Sequence, residues 1–459
     1  MKRIFGTPRA LAALLALSLL AGCGAQSGAG AATAETAAPA PTAAPQQLTV
    51  YYAGGADSPA ATALRAYAAA QGVTLQELYP GEDPAAADLA VLEAEPADDG
   101  SWKDLTADAL LATAAARAGL DAETPVYALP LGKTLYAYWA DGDVLAALLG
   151  GEREAVTADL QAASWDEWSA LAETVTEWLA EPAETVLTLN GRDYTLPAER
   201  PEAAAGLTGV FSLCEDSVTG GGGLPLYTGA LLAAGQARDA DTLTGPLNGV
   251  YSALTLELEN AAWADSTAAA MQAVQGRTAL FCRGSLADWL LYSGGAATET
   301  LCWLPVKCDL VESDLGETEY NLTGLLNYPV LAGEAWLAVP AGADEARTEA
   351  AAAAMLWLYT SQAGEETLTQ TLGLVTPWGT ASNDTPLTAM QVEQVGAGIL
   401  PEPALDTAAA AGLGEAARAL ARDEDGALRT RFTASHRSAW REAAIAALQP
   451  PEAPETTQE

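Results

Sequence analysis

The spacing of apolar and polar residues changes along this chain, and each spacing predicts one type of element. Residues 48–55, LTVYYAGG, alternate between the two classes and end in two glycines, which is typical of a strand that leads into a turn. Ser58 and Pro59 then form a helix start. The following helix, two strands and helical stretch are predicted over residues 59–71, 73–78, 88–93 and 102–111. This order predicts an α/β unit with a largely parallel sheet.

The rest of the chain continues with longer elements. Residues 124–150 are apolar and aromatic and are predicted to be extended until a short helix at their end. Ser164 and Glu167 form a capping box at the start of a strong helix. Residues 309–328 are predicted to be irregular, and residues 200–250, with four consecutive glycines, match no pattern. Further strands are predicted over 191–196, 276–285, 302–306 and 333–343, and further helices over 164–180, 248–263, 266–274, 345–361, 365–372, 404–421 and 430–448.

The first 23 residues have the pattern of a bacterial lipoprotein signal. Lys2, Arg3 and Arg9 accompany an apolar run of about eleven residues, which is shorter than the roughly 20 that a membrane span needs. The run ends in Leu-Ala-Gly-Cys at 20–23, which looks like a lipobox. We therefore expect cleavage after residue 22 and a diacylglycerol on Cys23. The alternative is an ordinary signal peptide that happens to end near a cysteine.

Both ends of the body are expected to be disordered. Residues 24–47 are almost entirely Ala, Gly, Ser, Thr, Pro and Gln, which cannot bury enough apolar surface to offset the entropy of ordering. About 24 such residues reach roughly 25–30 Å, so they can hold a folded body off a membrane. The tail at 449–459 is rich in Pro, Thr and Glu.

Composition limits the classes of partner. The chain of 459 residues has 21 Lys and Arg against 60 Asp and Glu, a net charge of −39, and removal of the signal takes three basic residues away. Such a surface repels nucleic acid and anionic lipid, so we expect neither as a partner. The roughly 400 residues between the tails exceed one ordinary core, which predicts two domains.

Motifs for catalysis or for a metal are missing from the sequence. There is no GxSxG, no HExxH and no glycine-rich loop followed by Lys-Ser/Thr, and the single histidine, His436, lies in a late helical segment rich in Arg and Ser. We expect no enzyme activity, no cofactor and no metal. Four cysteines remain after Cys23, and they allow three disulfide pairings or four buried free thiols: Cys214, Cys282, Cys302 and Cys308.

Four segments in this order resemble the bacterial extracellular solute-binding protein family 1, the substrate-binding lipoproteins of ABC importers. They are VYALPLGKTLYAYWADGDVL, SWDEWSALAETV, AAMQAVQGRTALFCRGSLADWL and the run from VLAGEAWLAV to GLVTP, at 126–145, 164–175, 269–290 and 330–377. Two departures affect the ligand site more than the fold. The segment between the second and third strands is short, and Leu286 stands where relatives often have an aromatic residue.

The resemblance implies an α/β, two-lobed periplasmic-binding-protein-like fold of type II with hinge-linked lobes. The first crossover between lobes is expected near residues 140–142 and the return near residue 331. The implied division is a signal peptide at 1–22, a lipidated Cys and disordered tether at 23–47, lobe one at 48–140 plus 331–375, lobe two and C-terminal helices at 141–330 plus 376–448, and a tail at 449–459.

Candidate binding residues follow from the rule that ligands of open α/β sheets sit beyond the carboxyl ends of strands. Carboxylates and amides there would bind hydroxyls, and aromatic rings would stack on sugars. Each candidate has a structural alternative: Asp57 as a helix cap, Glu93 as a solvated strand end, Lys133 as a loop charge and Trp336 as core. The candidates are Gly54, Gly55, Asp57, Glu93, Lys133, Thr134, Arg283, Ser285, Glu334, Trp336 and Trp378.

The predicted function is capture of a small solute between two lobes and its delivery to ABC permease subunits. The resemblance implies a sugar or oligosaccharide, bound by a monomer that a lipid anchor holds on the outer face of the cell membrane, or in the periplasm of a Gram-negative cell. Two alternatives stay open: a protein of this fold that binds a peptide, polyamine or metal complex, and a lipid-anchored surface adhesion or sensing protein.

Overall fold

A computed structural model describes residues 47–120, 124–219, 224–235, 240–292, 299–314, 322–401, 405 and 407–449. The predicted signal peptide, Cys23, most of the tether, the four-glycine loop and nearly all of the tail lie outside these residues. Eleven strands and sixteen helices are numbered below in chain order. The strands are β1 Gln47–Tyr52, β2 Thr74–Leu78, β3 Leu89–Leu92, β4 Ala128–Asp141, β5 Thr185–Leu189, β6 Arg192–Leu196, β7 Gly209–Leu213, β8 Ala261–Trp263, β9 Ala279–Ser285, β10 Leu301–Leu304 and β11 Val330–Ala338.

The helices cover both faces of the sheet and form the C-terminal part of the chain. They are α1 Pro59–Gln71, α2 Ala109–Arg117, α3 Gly142–Leu149, α4 Arg153–Ala162, α5 Trp165–Ala180, α6 Glu215–Thr219, α7 Leu224–Gly235, α8 Ala240–Glu259, α9 Thr267–Gln275, α10 Leu286–Tyr292, α11 Leu322–Asn327, α12 Glu345–Thr360, α13 Gln362–Glu366, α14 Pro386–Ala397, α15 Thr407–Ala421 and α16 Ala434–Leu448. None of the described helices is both long and apolar enough to cross a membrane.

One mixed sheet runs through the molecule in the order β2-β1-β3-β11-β4-β9-β7-β8, and β10 also pairs with β4. The pairs at each end, β1 with β2 and β3 and β7 with β8 and β9, are parallel. The pairs in the middle, which involve β4 and β11, are antiparallel. This pattern joins two parallel units through a long antiparallel centre.

The long strand β4 connects the two units. Its 14 residues pair with β11 over residues 128–136, then with β9 over residues 136–139 and with β10 over residues 138–141. Tyr136 therefore pairs on both sides, at the point where the sheet passes from one unit to the other.

Two large apolar cores lie on the two sides of this centre. Leu48, Val50 and Tyr52 of β1 pack with α1, α2 and α12 in an N-terminal core. A C-terminal core contains α3, α5, β7 and α8 and is covered by α15 and α16. A third cluster around Trp139 and Trp289 lies where β4 and β9 meet α9 and α10. Removal of apolar side chains from water stabilises each unit.

Most predicted elements exist, and the exceptions have local causes. The helix predicted from residue 248 begins at Ala240 and contains Pro246 in an early turn, while its predicted end at 261–263 is strand β8. Residues 322–327 form α11 inside a stretch predicted to be irregular. The helical stretch expected from residue 102 is a short 3₁₀ turn and then α2, which Asp108 caps at the amides of Leu110 and Leu111.

Candidate functional site

A cavity of about 430 Å³ opens between the two units of the sheet. Its N-terminal wall contains Gly54 after β1 and Glu93 after β3. Its opposite wall contains residues at the start of α6, α9 and α10, and the central strands form the floor through Tyr136 and Glu334. Side chains from several separate elements therefore line one cavity.

Glu334 reaches the cavity because β11 is irregular there. The pairing with β4 passes from Gly333–Lys133 to Ala335–Gly132, which leaves Glu334 without a paired residue. An unpaired residue of this kind bends a strand and redirects its side chain. Within the described chain, the Glu334 carboxylate has no hydrogen-bond or ion-pair partner.

Asp288 is held at the opposite wall by the start of α10. The Ser285 hydroxyl donates to Asp288 Oδ2 over 2.8 Å and accepts from the Asp288 amide over 3.0 Å. Thr134 of β4 accepts a hydrogen bond from the amide of Ala287 over 3.1 Å. Two hydroxyls from adjacent strands thus fix the first turn of α10, and with it the position of the Asp288 carboxylate.

Asp216 lies near the start of α6. It accepts a hydrogen bond of 3.2 Å from the Thr267 hydroxyl at the start of α9. The thiol of Cys214 is 3.1 Å from the Ser217 hydroxyl and 3.6 Å from that of Thr267. The four cysteines that the sequence left open are free thiols: Cys214, Cys282, Cys302 and Cys308.

Four carboxyl groups in the cavity share one electrostatic environment. Burial raises the pKa of Glu334 well above its usual value, and repulsion from Asp288, Glu93 and Asp216 raises it further. Burial, with repulsion from Asp216, raises the pKa of Asp288 to about 6. Glu93 and Asp216 are exposed at the mouth of the cavity, and desolvation by the surrounding walls is the main cause of the raised pKa of each. Solvent still reaches these groups through the mouth of the cleft, but the protein around them makes ionisation costly.

A second charged cluster lies behind the cavity, and its charges are balanced. Arg283 of β9 and Glu257 of α8 are almost fully buried and form two hydrogen bonds, of 2.9 Å from Nε and 2.8 Å from Nη2. Tyr138 donates a hydrogen bond to the same carboxylate. Arg283 Nη1 also donates to the hydroxyl of Tyr136 over 3.0 Å, so Tyr136 separates this ion pair from the cavity.

Of the residues that the sequence singled out, the cavity brings together five: Gly54, Glu93, Thr134, Ser285 and Glu334. The others lie elsewhere. Gly55 forms the turn after β1 with a φ of 81°, and the carbonyl of Asp57 accepts a hydrogen bond from Tyr292. Ser58, rather than Asp57, caps α1.

The two candidate tryptophans and the two candidate cations are also outside the cavity lining. Arg283 forms the buried ion pair. The backbone of Lys133 pairs with Val375. Trp336 pairs with residues of β3 and β4. Trp378 packs edge-on against Tyr359 and beneath the guanidinium of Arg117, which is 4.4 Å from its ring centroid.

The cavity also contains residues that sequence reasoning missed. The polar and aromatic ones among them include Tyr136, Cys214, Glu215, Asp216, Asp265, Thr267, Asp288 and Tyr292. Asp288 lies three residues after the candidate Ser285, so a capping pattern at the start of α10 was a usable signal. Asp216 follows β7 in the part of the chain that matched no pattern, and strand order was the missing information.

The donor set does not fit a bound metal ion. Nowhere in the described chain do three or more His, Cys, Asp or Glu side chains converge closely enough to hold one. The carboxylates instead line separate walls of a space that is large enough for an organic molecule.

Comparison with known proteins identifies the class of fold. No protein-family profile matches the sequence, and no curated protein matches it. An ABC-transporter solute-binding protein from Agrobacterium radiobacter K84, in complex with ribitol, has 15% identity and a TM-score of 0.55, and the match covers 89% of this chain and 99% of that one.

Two further solved structures share the fold. A Streptococcus pneumoniae solute-binding protein in complex with the blood group A-trisaccharide has 11% identity and a TM-score of 0.55, with 87% of this chain and 100% of that one covered. The GacH receptor of Streptomyces glaucescens, which binds acarbose, has 15% identity and a TM-score of 0.54, with 88% and 98% covered. The chain thus has the two-lobed α/β fold of extracellular solute-binding proteins, and the fold predicted from its sequence is confirmed.

Proposed function

We propose that this protein is the solute-binding component of an ABC importer. The observation that carries the proposal is the cavity, because both units of the fold contribute to its walls. Gly54 and Glu93 extend from strands of the N-terminal unit, and Asp216 and Thr267 come from the opposite unit. A solute that contacts both walls stabilises a closed arrangement of the two lobes over an open one.

The central strands supply the hinge in this mechanism. Because β4 and β11 belong to both halves of the sheet, small changes of their backbone angles would move one wall relative to the other. The lobes that we propose are the ones given above, residues 48–140 with 331–375 and residues 141–330 with 376–448. The ligand can shift the equilibrium between open and closed forms only by its difference in affinity for them.

The rest of the proposal concerns location and partners. We propose that Cys23 carries a lipid anchor, that residues 24–47 tether a monomeric body to the outer face of the membrane, and that permease subunits recognise the closed form. A tether raises the effective concentration of the binder at its permease. The protein would bind and release its solute without chemical change.

The solute class that we propose is a small polar molecule of the kind that the neighbours bind, a sugar, a polyol or an oligosaccharide. The cavity lining includes the hydroxyls of Thr134 and Tyr136, which each accept a hydrogen bond within the protein and keep a hydrogen to donate to such a ligand. Hydrogen bonds from a few well-placed polar groups give orientation in a cleft of this size.

Small-angle X-ray scattering with a panel of polyols, neutral sugars, amino sugars and polyamines tests the proposal. At least one member is expected to lower the radius of gyration. The same member should stabilise the protein in thermal unfolding, by about 2.7 kcal/mol at one hundred times its Kd. If no member changes either quantity, the solute-binding function is wrong.

A further inference from the structure

We propose that the solute of this cavity is an organic cation with at least one ammonium group. This inference rests on the proposed function, since it names the charge of the ligand that the cleft closes on. It begins from the cavity, whose walls carry acidic side chains on four separate elements, at Glu93, Asp216, Asp288 and Glu334.

The described residues that line the cavity include six carboxylates and no lysine, arginine or histidine. Glu215 is one of the six, and its charge is already balanced because Arg418 of α15 and Arg422, which follows that helix, both contact it. Asp265 is exposed at the mouth of the cavity, as Glu93 and Asp216 also are, while Asp288 and Glu334 are partly buried deeper inside. The other four form the cluster whose members repel one another, which we call the acidic cluster.

The buried cation Arg283 lowers the pKa of Asp216, but it does not act on Glu93, Asp288 or Glu334. Arg283 lies behind Tyr136, and Glu257 occupies two of its donors. Glu93 and Glu334 have no hydrogen-bond or ion-pair partner among the described residues, and Asp216 and Asp288 each accept a hydrogen bond from one side-chain hydroxyl. Like charges at this density are costly unless a positive group joins them.

The general acidity of the chain does not explain the acidic cluster. Acidic side chains elsewhere in the described fold typically lie on the outer surface, as Glu349 of α12 does, or pair with arginine, as Glu77 does with Arg65. Glu334 differs from both, because a strand irregularity directs it inward at the middle of the sheet. That placement positions a negative charge where both lobes can share it.

The cation is an organic molecule because of the spacing of the carboxylates. The described carboxylates do not converge on one point as the ligands of a metal ion would. They line the walls of a cavity of about 430 Å³. An amino sugar and a linear polyamine share the required chemistry, an ammonium group on a flexible or hydroxylated frame. Each ammonium group would donate charge-assisted hydrogen bonds to carboxylates of the acidic cluster.

Isothermal titration calorimetry at pH 7.0 tests the inference with matched ligands. Glucosamine and N-acetylglucosamine share one sugar ring, but acetylation removes the positive charge of the amine. Spermidine represents the linear polyamines. We expect glucosamine or spermidine to bind at least tenfold more tightly than N-acetylglucosamine, glucose and ribitol. We also expect that affinity to fall when NaCl is raised from 50 to 500 mM. Selective binding of glucosamine assigns the amino sugar, and selective binding of spermidine assigns the polyamine.

Two variants locate the effect in the acidic cluster. Glu334→Gln and Asp288→Asn should each weaken the binding of the cation at least tenfold, and both remove one charge with little change of shape. Glu349→Gln on the exposed face of α12 is the matched control and should leave the Kd within twofold.

Two results would overturn the inference. If a neutral sugar or ribitol binds as tightly as the cations and closes the lobes, the charge assignment fails while the solute-binding function stands. If neither cations nor neutral ligands bind, both fail together. An unchanged Kd for the cation in Glu334→Gln also contradicts the proposed role of the acidic cluster.

Discussion

Two charged clusters lie on opposite sides of Tyr136, and they differ in how their charge is balanced. The Arg283–Glu257 pair is almost fully buried and satisfied by two short hydrogen bonds. The acidic cluster lies on the cavity side of the Tyr136 ring, where, among the described residues, Arg283 acts on Asp216 but not on the other three carboxylates. Arg283 of the balanced pair lies in β9, and Asp288 of the acidic cluster lies in α10, the helix that follows β9.

This difference in charge balance distinguishes residues that stabilise the fold from residues that bind a ligand. A buried charge that has its counter-charge within the fold stabilises one arrangement of strands and helices. Charges that repel one another in a cleft cost stability, and selection keeps such an arrangement where a ligand completes it. We therefore assign Arg283 to the framework and Glu334 to the ligand site.

Breaking the Arg283–Glu257 pair should have the largest effect on the free energy of unfolding. Glu257→Gln leaves the guanidinium of Arg283 buried without a counter-charge, so we expect the free energy of unfolding to fall by about 3–5 kcal/mol. Urea denaturation monitored by circular dichroism measures the loss, and Glu349→Gln serves as a control. A loss below about 1 kcal/mol would show that this ion pair does not hold the framework.

Lys307 tests the opposite case, a buried cation among neutral partners. Its Nζ donates to the carbonyl of Gln161 and to Asn327 Oδ1, each over 2.7 Å, and burial lowers its pKa to about 7.

Because the unfolded chain binds more protons than the folded one between pH 7 and the usual pKa of lysine, stability should rise with pH in that window. Relative to Lys307→Met, the parent should gain about 3 kcal/mol from pH 7 to pH 10, since each pH unit inside that window contributes about 1.4 kcal/mol. Equal slopes of the unfolding free energy in the two proteins would contradict this description of Lys307.

A substitution in the acidic cluster is expected to change the free energy of unfolding by less, and to raise it. When the pKa of a carboxyl group is raised in the folded state, the protein loses stability as pH rises through that pKa. Ionised Glu334 should therefore destabilise the ligand-free protein. Glu334→Gln is expected to raise the free energy of unfolding at pH 8 by about 1 kcal/mol, because it removes both the desolvation of the carboxylate and its repulsion from three other carboxylates.

The same substitution should have almost no effect at pH 4, where the carboxyl is protonated. Differential scanning calorimetry at the two pH values measures both quantities. A destabilised Glu334→Gln at pH 8 would mean that Glu334 supports the fold and is not held there for a ligand.

The sequence was informative where a short pattern determines the structure. Alternation predicted β1, glycine and proline placed both ends of α1, and the capping box of Ser164 and Glu167 is present as expected. Glu93 and Ser285 were candidates because they follow strands, and the cavity contains both. Local periodicity and strand ends are visible in one sequence without any knowledge of distant contacts.

Contacts between residues far apart in the chain could not be predicted from the sequence. Glu257 engages Arg283 from a helix 26 residues earlier in the chain, and Arg117 covers Trp378 across the N-terminal unit. Asp216 enters the cavity because β7 lies beside β9 in the sheet, which follows from strand order and not from spacing. The unpaired position of Glu334 likewise depends on register between β4 and β11.

The central claim is that the ligand supplies the positive charge that the acidic cluster lacks. At pH 6 the carboxyl group of Asp288 is partly protonated, because burial and repulsion from Asp216 raise its pKa to about 6, and burial and repulsion raise the pKa of Glu334 well above its usual value. A bound ammonium group favours the ionised carboxylates and should expel those protons. Calorimetric titration at pH 6 of the cation that binds, glucosamine or spermidine, in two buffers of different ionisation enthalpy counts them. We predict net proton release on binding; binding with no release, or with proton uptake, would contradict the claim.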